Sequence, residues 1–246
     1  MSSSWKTPFG IFRILIVLLV LASIVMMQIF TGLYSPNWIF LFGSVMIVVL
    51  ALVNFLEKRG DSNLSRFVLL MFIAMLVCSI ADFLMAGVFY IIPGESLING
   101  VIFFLTGHVI YVLALRDRSP LLLRSQSPRL IVRNLMIWII GLVFLFVLFF
   151  LTLFNPADLV ISIGLVGYGI FLTSSLVFSI TKWFDNLPHR FSLCLILGFL
   201  LFFISDYILG YKILIDGGFL SGIEAVGITY LLGQMIIHLS PVFASE

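Results

Sequence analysis

NLMIWIIGLVFLFVLFFLTLFNP, residues 134–156, decides the fold. From Asn134 to Ala157 the chain carries no charge. About 20 residues of helix cross roughly 30 Å of hydrocarbon, and only a helix or a closed barrel satisfies its own backbone there. The run therefore reads as a membrane-spanning helix. Phe154-Asn155-Pro156 follows as a tight hairpin, with Pro156 opening the next helix.

The same texture extends outward through the whole chain. Of 246 residues, 62% are hydrophobic and 10% charged, with a mean hydropathy of +1.27. Soluble domains carry about 25% charged residues, so this chain cannot cover a water-facing surface. The apolar runs predict eight spans, near Phe9–Phe30, Trp38–Leu56, Arg66–Tyr90, Ile98–Leu115, Ile131–Leu153, Ala157–Thr181, Arg190–Tyr211 and Gly222–Ser240. The expected fold class is an all-α membrane protein, with residues 1–246 forming one polytopic domain.

Orientation follows from the basic residues. Eight spans put Lys6, Arg13, Lys58, Arg59, Arg66, Arg116, Arg118, Arg124, Arg129, Arg133, Lys182 and Arg190 on the side of both termini. Lys212 alone faces the other way, so the 13 basic residues divide 12 to 1. The positive-inside rule then makes both termini cytoplasmic, in a bacterial inner or plasma membrane or an ER membrane. An odd number of spans would scatter these charges. The first apolar run is long enough to span and lacks a clear small-x-small cleavage site, so it reads as a retained helix rather than a signal peptide. Asn63-Leu64-Ser65 matches a glycosylation sequon but falls on the expected cytoplasmic side. Cys78 and Cys194 lie singly within spans and read as small buried hydrophobes.

Two stretches nearly repeat. Ile80-Ala81-Asp82-Phe83-Leu84-Met85-Ala86 resembles Ile204-Ser205-Asp206-Tyr207-Ile208-Leu209-Gly210. In the following spans, Phe104-Leu105-Thr106-Gly107-His108 aligns with Tyr230-Leu231-Leu232-Gly233-Gln234. The aspartates are 206 − 82 = 124 apart, and His108 and Gln234 are 234 − 108 = 126 apart. Four spans separate the partners, so both copies cross in the same direction. This predicts two parallel four-helix halves, about 1–117 and 130–246, related by a pseudo-twofold axis along the membrane normal. The basic 116–133 segment would link them on anionic headgroups.

Asp82 and Asp206 are the acidic residues placed well inside spans. A carboxylate at membrane depth costs roughly 2.5–3.5 kcal/mol on insertion scales, so it must face the bundle interior, as a helix clamp or as a working group. Counting from the expected helix ends puts both roughly 8–12 Å below the outer surface. His108 lies near mid-membrane, with Tyr111 one turn on. Tyr230, Gln234 and His238 form a polar stripe at i, i+4 and i+8. Ser79 sits one turn before Asp82, and Ser205 beside Asp206. No G-x-S-x-G elbow, HExxH, paired cysteines or three-histidine set is present, so a serine nucleophile or a metal has little support. No phosphate loop or nucleic-acid module appears, and no cofactor is called for.

These motifs resemble the YhhN/TMEM86 family of multi-span membrane proteins, whose characterised members are lysoplasmalogenases. The third and fourth spans carry it through Asp82-Phe83-Leu84-Met85, then Gly100 and Phe103-Phe104-Leu105-Thr106-Gly107-His108-Val109-Ile110-Tyr111. The seventh span contributes Gly198, Phe202 or Phe203, Ser205 and Asp206, followed by Lys212. The eighth contributes Tyr230 and Gln234, and Pro156 with Tyr168 fits the sixth. Ala81 stands where a glycine is usual, no Lys-Pro opens the second span, and the sixth lacks an expected methionine.

The resemblance implies cleavage of the vinyl-ether bond of a lysophospholipid to release a fatty aldehyde. That chemistry protonates the β-carbon of the vinyl ether and traps an oxocarbenium ion with water. It needs a carboxylic acid and a negative group beside the cation. Two neighbouring aspartates sharing one proton supply both, so Asp82, Asp206 and His108 are the expected catalytic residues. Tyr111, Ser205, Tyr230 and Gln234 are expected to bind the lysophospholipid and water. Two alternatives remain open: a metal-dependent lipid amidase or esterase, and a proton-coupled carrier or lipid-binding protein in which the aspartates form a relay.

Overall fold

The computed structural model describes residues 8–30, 37–116, 128–156, 159–185, 187–215 and 225–244. These form eight helices and no strand: α1 (Pro8–Ile29), α2 (Asn37–Lys58), α3 (Ser65–Met85), α4 (Ser96–Leu115), α5 (Pro128–Thr152), α6 (Leu159–Trp183), α7 (His189–Ile215) and α8 (Ala225–Leu239). A 3₁₀ turn, Ser240–Phe243, extends α8. All eight are long and apolar enough to cross a membrane, α8 together with its extension. The central part of the basic linker, residues 117–127, lies outside the described residues. So do residues 157–158, where the sixth span was expected to open, and Gly222, where the eighth was expected to begin.

Successive helices pack as antiparallel neighbours within α1–α4 and within α5–α8, and two cross-contacts close the bundle: α2 on α8, and α4 on α6. α1 also touches α8, whereas α5 leans chiefly on α6. Only 11% of the spanning window of α5 is buried, against 61% for α8. Thus α8 is a central helix and α5 a peripheral one. Ile47, Leu50, Phe67, Met75, Phe199 and Ile237 are among the side chains sealed in the core.

Small residues set the closest approaches. A Cβ on Gly198 of α7 would lie 2.8 Å from the Gly233 carbonyl of α8, and one on Gly233 would lie 2.8 Å from the Gly198 carbonyl. The two backbones touch there. Without a hydrophobic drive between helices in lipid, such contacts are a main source of association. Gly107 of α4 makes the equivalent contact with α3, against Cys78. Cys78 is fully buried and Cys194 partly so, consistent with a packing role.

The third helix ends earlier than its apolar pattern predicts, at Met85 rather than Tyr90. Gly87 takes a left-handed φ of +71°. Its N–H bonds to the Leu84 carbonyl, and the Val88 N–H to Phe83, which is a Schellman stop. Val88–Ile92 continue as exposed, apolar, non-helical chain. The Asn99 side chain clasps this loop, accepting from the Ile92 N–H at 2.9 Å and donating to its carbonyl at 2.8 Å.

Substituting Gly198 or Gly233 by alanine is expected to cost about 1–3 kcal/mol, because the added methyl meets backbone that cannot turn aside. Thermal unfolding in detergent should show this as a lowered midpoint. Gly167→Ala, whose Cβ would meet nothing within 4 Å, should leave the midpoint unchanged or higher.

Candidate active site

Eight alternating crossings put the C-terminal ends of α3 and α7 and the N-terminal ends of α2 and α8 on the face opposite the chain termini. Near that face a cavity of about 190 Å³ opens between these helices, and both aspartates line it. Asn37, Phe40, Phe104, Ser205 and Tyr230 are also in its wall. Asp82 is 2% exposed, and the Asp206 side chain 8%. Asp82 lies three residues from the end of α3, which stops at Met85, and Asp206 lies nine residues from the end of α7.

The two carboxylates have unequal partners. Asp82 Oδ2 accepts from the Ser44 hydroxyl of α2 and, at 2.9 Å, from the Tyr230 hydroxyl of α8. Ser79 Oγ stands 3.1 Å from Ser44 Oγ. Asp206 Oδ2 accepts from the Tyr168 hydroxyl of α6, and His108 Nε2 of α4 stands 3.9 Å away. Asp82 is thus held by α2 and α8, and Asp206 by α6 with α4 close by.

Ser175 is the hydrogen-bond partner of the His108 ring. Its Nδ1 lies 3.1 Å from Ser175 Oγ, and that hydroxyl donates to the Phe171 carbonyl at 3.1 Å. While that hydroxyl gives its single hydrogen to Phe171 it can only accept from Nδ1, which is the tautomer with a bare Nε2. Among the described residues the buried Nε2 has no hydrogen-bond partner, and Asp206 Oδ2 lies 3.9 Å from it. The ring is fixed by packing against Phe202 and Tyr168.

Of the residues expected at the site, Asp82, Asp206, Ser205 and Tyr230 line the cavity, and His108 backs it through Asp206. The Ser205 hydroxyl donates to the Val226 carbonyl at 3.1 Å, tying α7 to α8. Tyr111 and Gln234 lie elsewhere, in a second polar cluster. There the Tyr111 hydroxyl donates to Gln234 Oε1 at 2.8 Å and lies 3.0 Å from His238 Nε2. The cluster continues toward the opposite face. The Asn54 amide donates to the His238 carbonyl, Arg13 Nε donates to Asn54 Oδ1 at 2.7 Å, and Arg13 also pairs with Glu57. Among the described residues, no three His, Cys, Asp or Glu side chains group closely enough to hold a metal ion.

Ser44, Ser175 and the buried Arg13 are absent from the expected site. Ser44 carried a signal nonetheless. Tyr168 follows it by 168 − 44 = 124 residues, the interval between the aspartates that the two hydroxyls contact.

Fold and site define the class: a multi-pass helical membrane protein with a carboxylate pair lining one intramembrane cavity. The sequence pattern described as the YhhN family matches residues 38–241, and the chain belongs to that family. No curated protein and no solved structure is similar enough to match.

Arg13 offers a test of the second cluster that leaves the cavity untouched. It is fully buried, so Arg13→Ala strands Glu57 and Asn54 and should destabilise the fold by about 2 kcal/mol or more. The expected result is a lowered melting midpoint in detergent, with near-normal turnover per folded molecule.

Proposed function

We propose that the protein is a lysoplasmalogenase-like hydrolase that cleaves the vinyl-ether bond of a single-chain lysophospholipid. The observation that carries this reading is the unequal pair of carboxylates on one cavity. Family membership supports it.

The donors around each carboxylate suggest its role. Asp82 receives two hydroxyl donors on one oxygen, an arrangement that stabilises a carboxylate anion. Asp206 receives one hydroxyl and faces a bare imidazole nitrogen, which favours a proton between them. On the tautomer with Nε2 bare, Asp206 is the acid. It protonates the β-carbon of the R–O–CH=CH–R′ linkage, and the positive charge that develops at the adjacent carbon and ether oxygen is stabilised by the Asp82 carboxylate. Water adds to that carbon and gives up a proton to Asp206, with His108 Nε2 beside it. The resulting hemiacetal collapses to the alcohol ROH and the aldehyde R′–CH₂–CHO. One water is consumed, and the carboxyl group is regenerated.

The halves fit a duplicated unit. Their helix neighbours pair as α2–α8 with α4–α6, and the interval of 124 recurs in the hydroxyl donors Ser44 and Tyr168. Duplication supplies the frame, while His108 and Gln234, unlike at matched positions, supply the asymmetry.

Asp206→Asn and Asp82→Asn are each expected to lower aldehyde release from purified protein by about a hundredfold or more. Near-normal release by both variants contradicts the mechanism. The carrier reading draws on one observation: polar groups continue from Tyr111 through His238 and Asn54 to Arg13, toward the opposite face. Lipid accumulation in vesicles without product would favour it.

A further inference from the structure

Asp206 borders more than the shared cavity. On its other side lies a narrow cleft of about 40 Å³ between α5, α6 and α7. Leu145, Phe149 and Leu153 form the α5 wall at i, i+4 and i+8, and Leu165 and Leu172 face them from α6. Tyr168, Asp206 and Tyr207 are the polar side chains of the lining. A further pocket of about 30 Å³, between α3, α4, α6 and α7, shares Leu165, Tyr168, Asp206 and Gly210 with it. Asp206 thus stands where a polar cavity and an apolar cleft meet.

The cleft has a direction. Leu153 lies just past the end of α5, and Leu145 eight residues earlier, about 12 Å down the helix. It therefore runs from the face that holds the shared cavity toward the middle of the span. A lipid chain entering from that face runs the same way. A volume of about 40 Å³ is room for a few small groups and not for a whole alkyl chain. Filling it requires α5 to move outward, and α5 is the helix held by the fewest neighbours.

We infer that the α5–α6–α7 cleft binds the single alkyl chain of the lipid substrate, with the polar linkage at Asp206 and the headgroup on the Asn37 side of the shared cavity. This rests on the hydrolase reading above. Gly210 is the control point of the cleft. A Cβ there would meet only Leu153 at 3.8 Å and Leu165 at 3.9 Å, so a methyl fits and a larger side chain fills the space.

The test uses a non-cleavable alkyl-ether lysophospholipid with a diazirine at the chain terminus, photolysed with the purified full-length protein in detergent micelles. Labelled peptides from α5, α6 and α7, with the yield falling about fivefold or more in Gly210→Leu, are the expected result. Label confined to the apolar groove of Leu19, Met26 and Phe42 between α1 and α2, or unchanged by Gly210→Leu, overturns the proposal. With a vinyl-ether series, Gly210→Leu should slow cleavage of a sixteen-carbon chain about tenfold more than that of an eight-carbon chain. Leu151→Phe, at a position 78% exposed on α5, should change neither. If Gly210→Leu does not fold, Leu165→Ala widens the same cleft and should shift preference toward longer chains; no shift also overturns the proposal. Absence of any aldehyde from the unmodified protein defeats the hydrolase reading, whereas the labelling pattern still decides the cleft.

Discussion

The arrangement depends on one constraint: a carboxylate placed among apolar helices must find hydrogen-bond donors inside the protein. Asp82 finds them on α2 and α8, and Asp206 finds Tyr168 on α6 with His108 of α4 close by. Asp82 thereby joins α3 to α2 and α8, and Asp206 joins α7 to α6. The direct backbone contact of Gly198 and Gly233 holds α7 against α8 at the depth this joining needs.

The same constraint gives the pair its chemical difference. Matched positions on two related halves would make equivalent acids, but the surrounding groups are not matched. Two hydroxyls converge on Asp82, whereas Asp206 has one hydroxyl and a histidine nitrogen 3.9 Å away. The second polar cluster has a different place in the structure, because it ties α1, α2, α4 and α8 together nearer the opposite face.

Much of this was legible in the sequence. Eight apolar runs separated by basic clusters become eight helices, because the bilayer leaves the backbone few alternatives. Asp82 and Asp206 stood out for the same reason: a charge inside such a run demands an explanation. The end of α3 was hidden because Val88–Ile92 are apolar without being helical, and hydropathy does not separate the two. Gly87 marks the stop, yet a glycine within an apolar run also reads as a packing contact. Tyr111 shares a helical face with His108 but lies a turn nearer the opposite membrane face, which separates its partners from those of His108. Ser44 and Ser175 left no trace in hydropathy, since a hydroxyl scarcely interrupts an apolar run. Applying the 124-residue interval to α2 and α6 would have found Ser44 opposite Tyr168. Arg13 was counted as a surface charge that sets topology, although its side chain is fully buried against Asn54 and Glu57.

In the proposed reaction the buried carboxyl group delivers its proton to carbon. Cleavage of a lysoplasmalogen by the purified protein in deuterated water, with the aldehyde reduced as it forms and examined by mass spectrometry, reads out that transfer. One deuterium is expected on the carbon next to the aldehyde carbon, where the β-carbon of the vinyl ether was protonated. Aldehyde without that deuterium, or release of a fatty acid in its place, would contradict it.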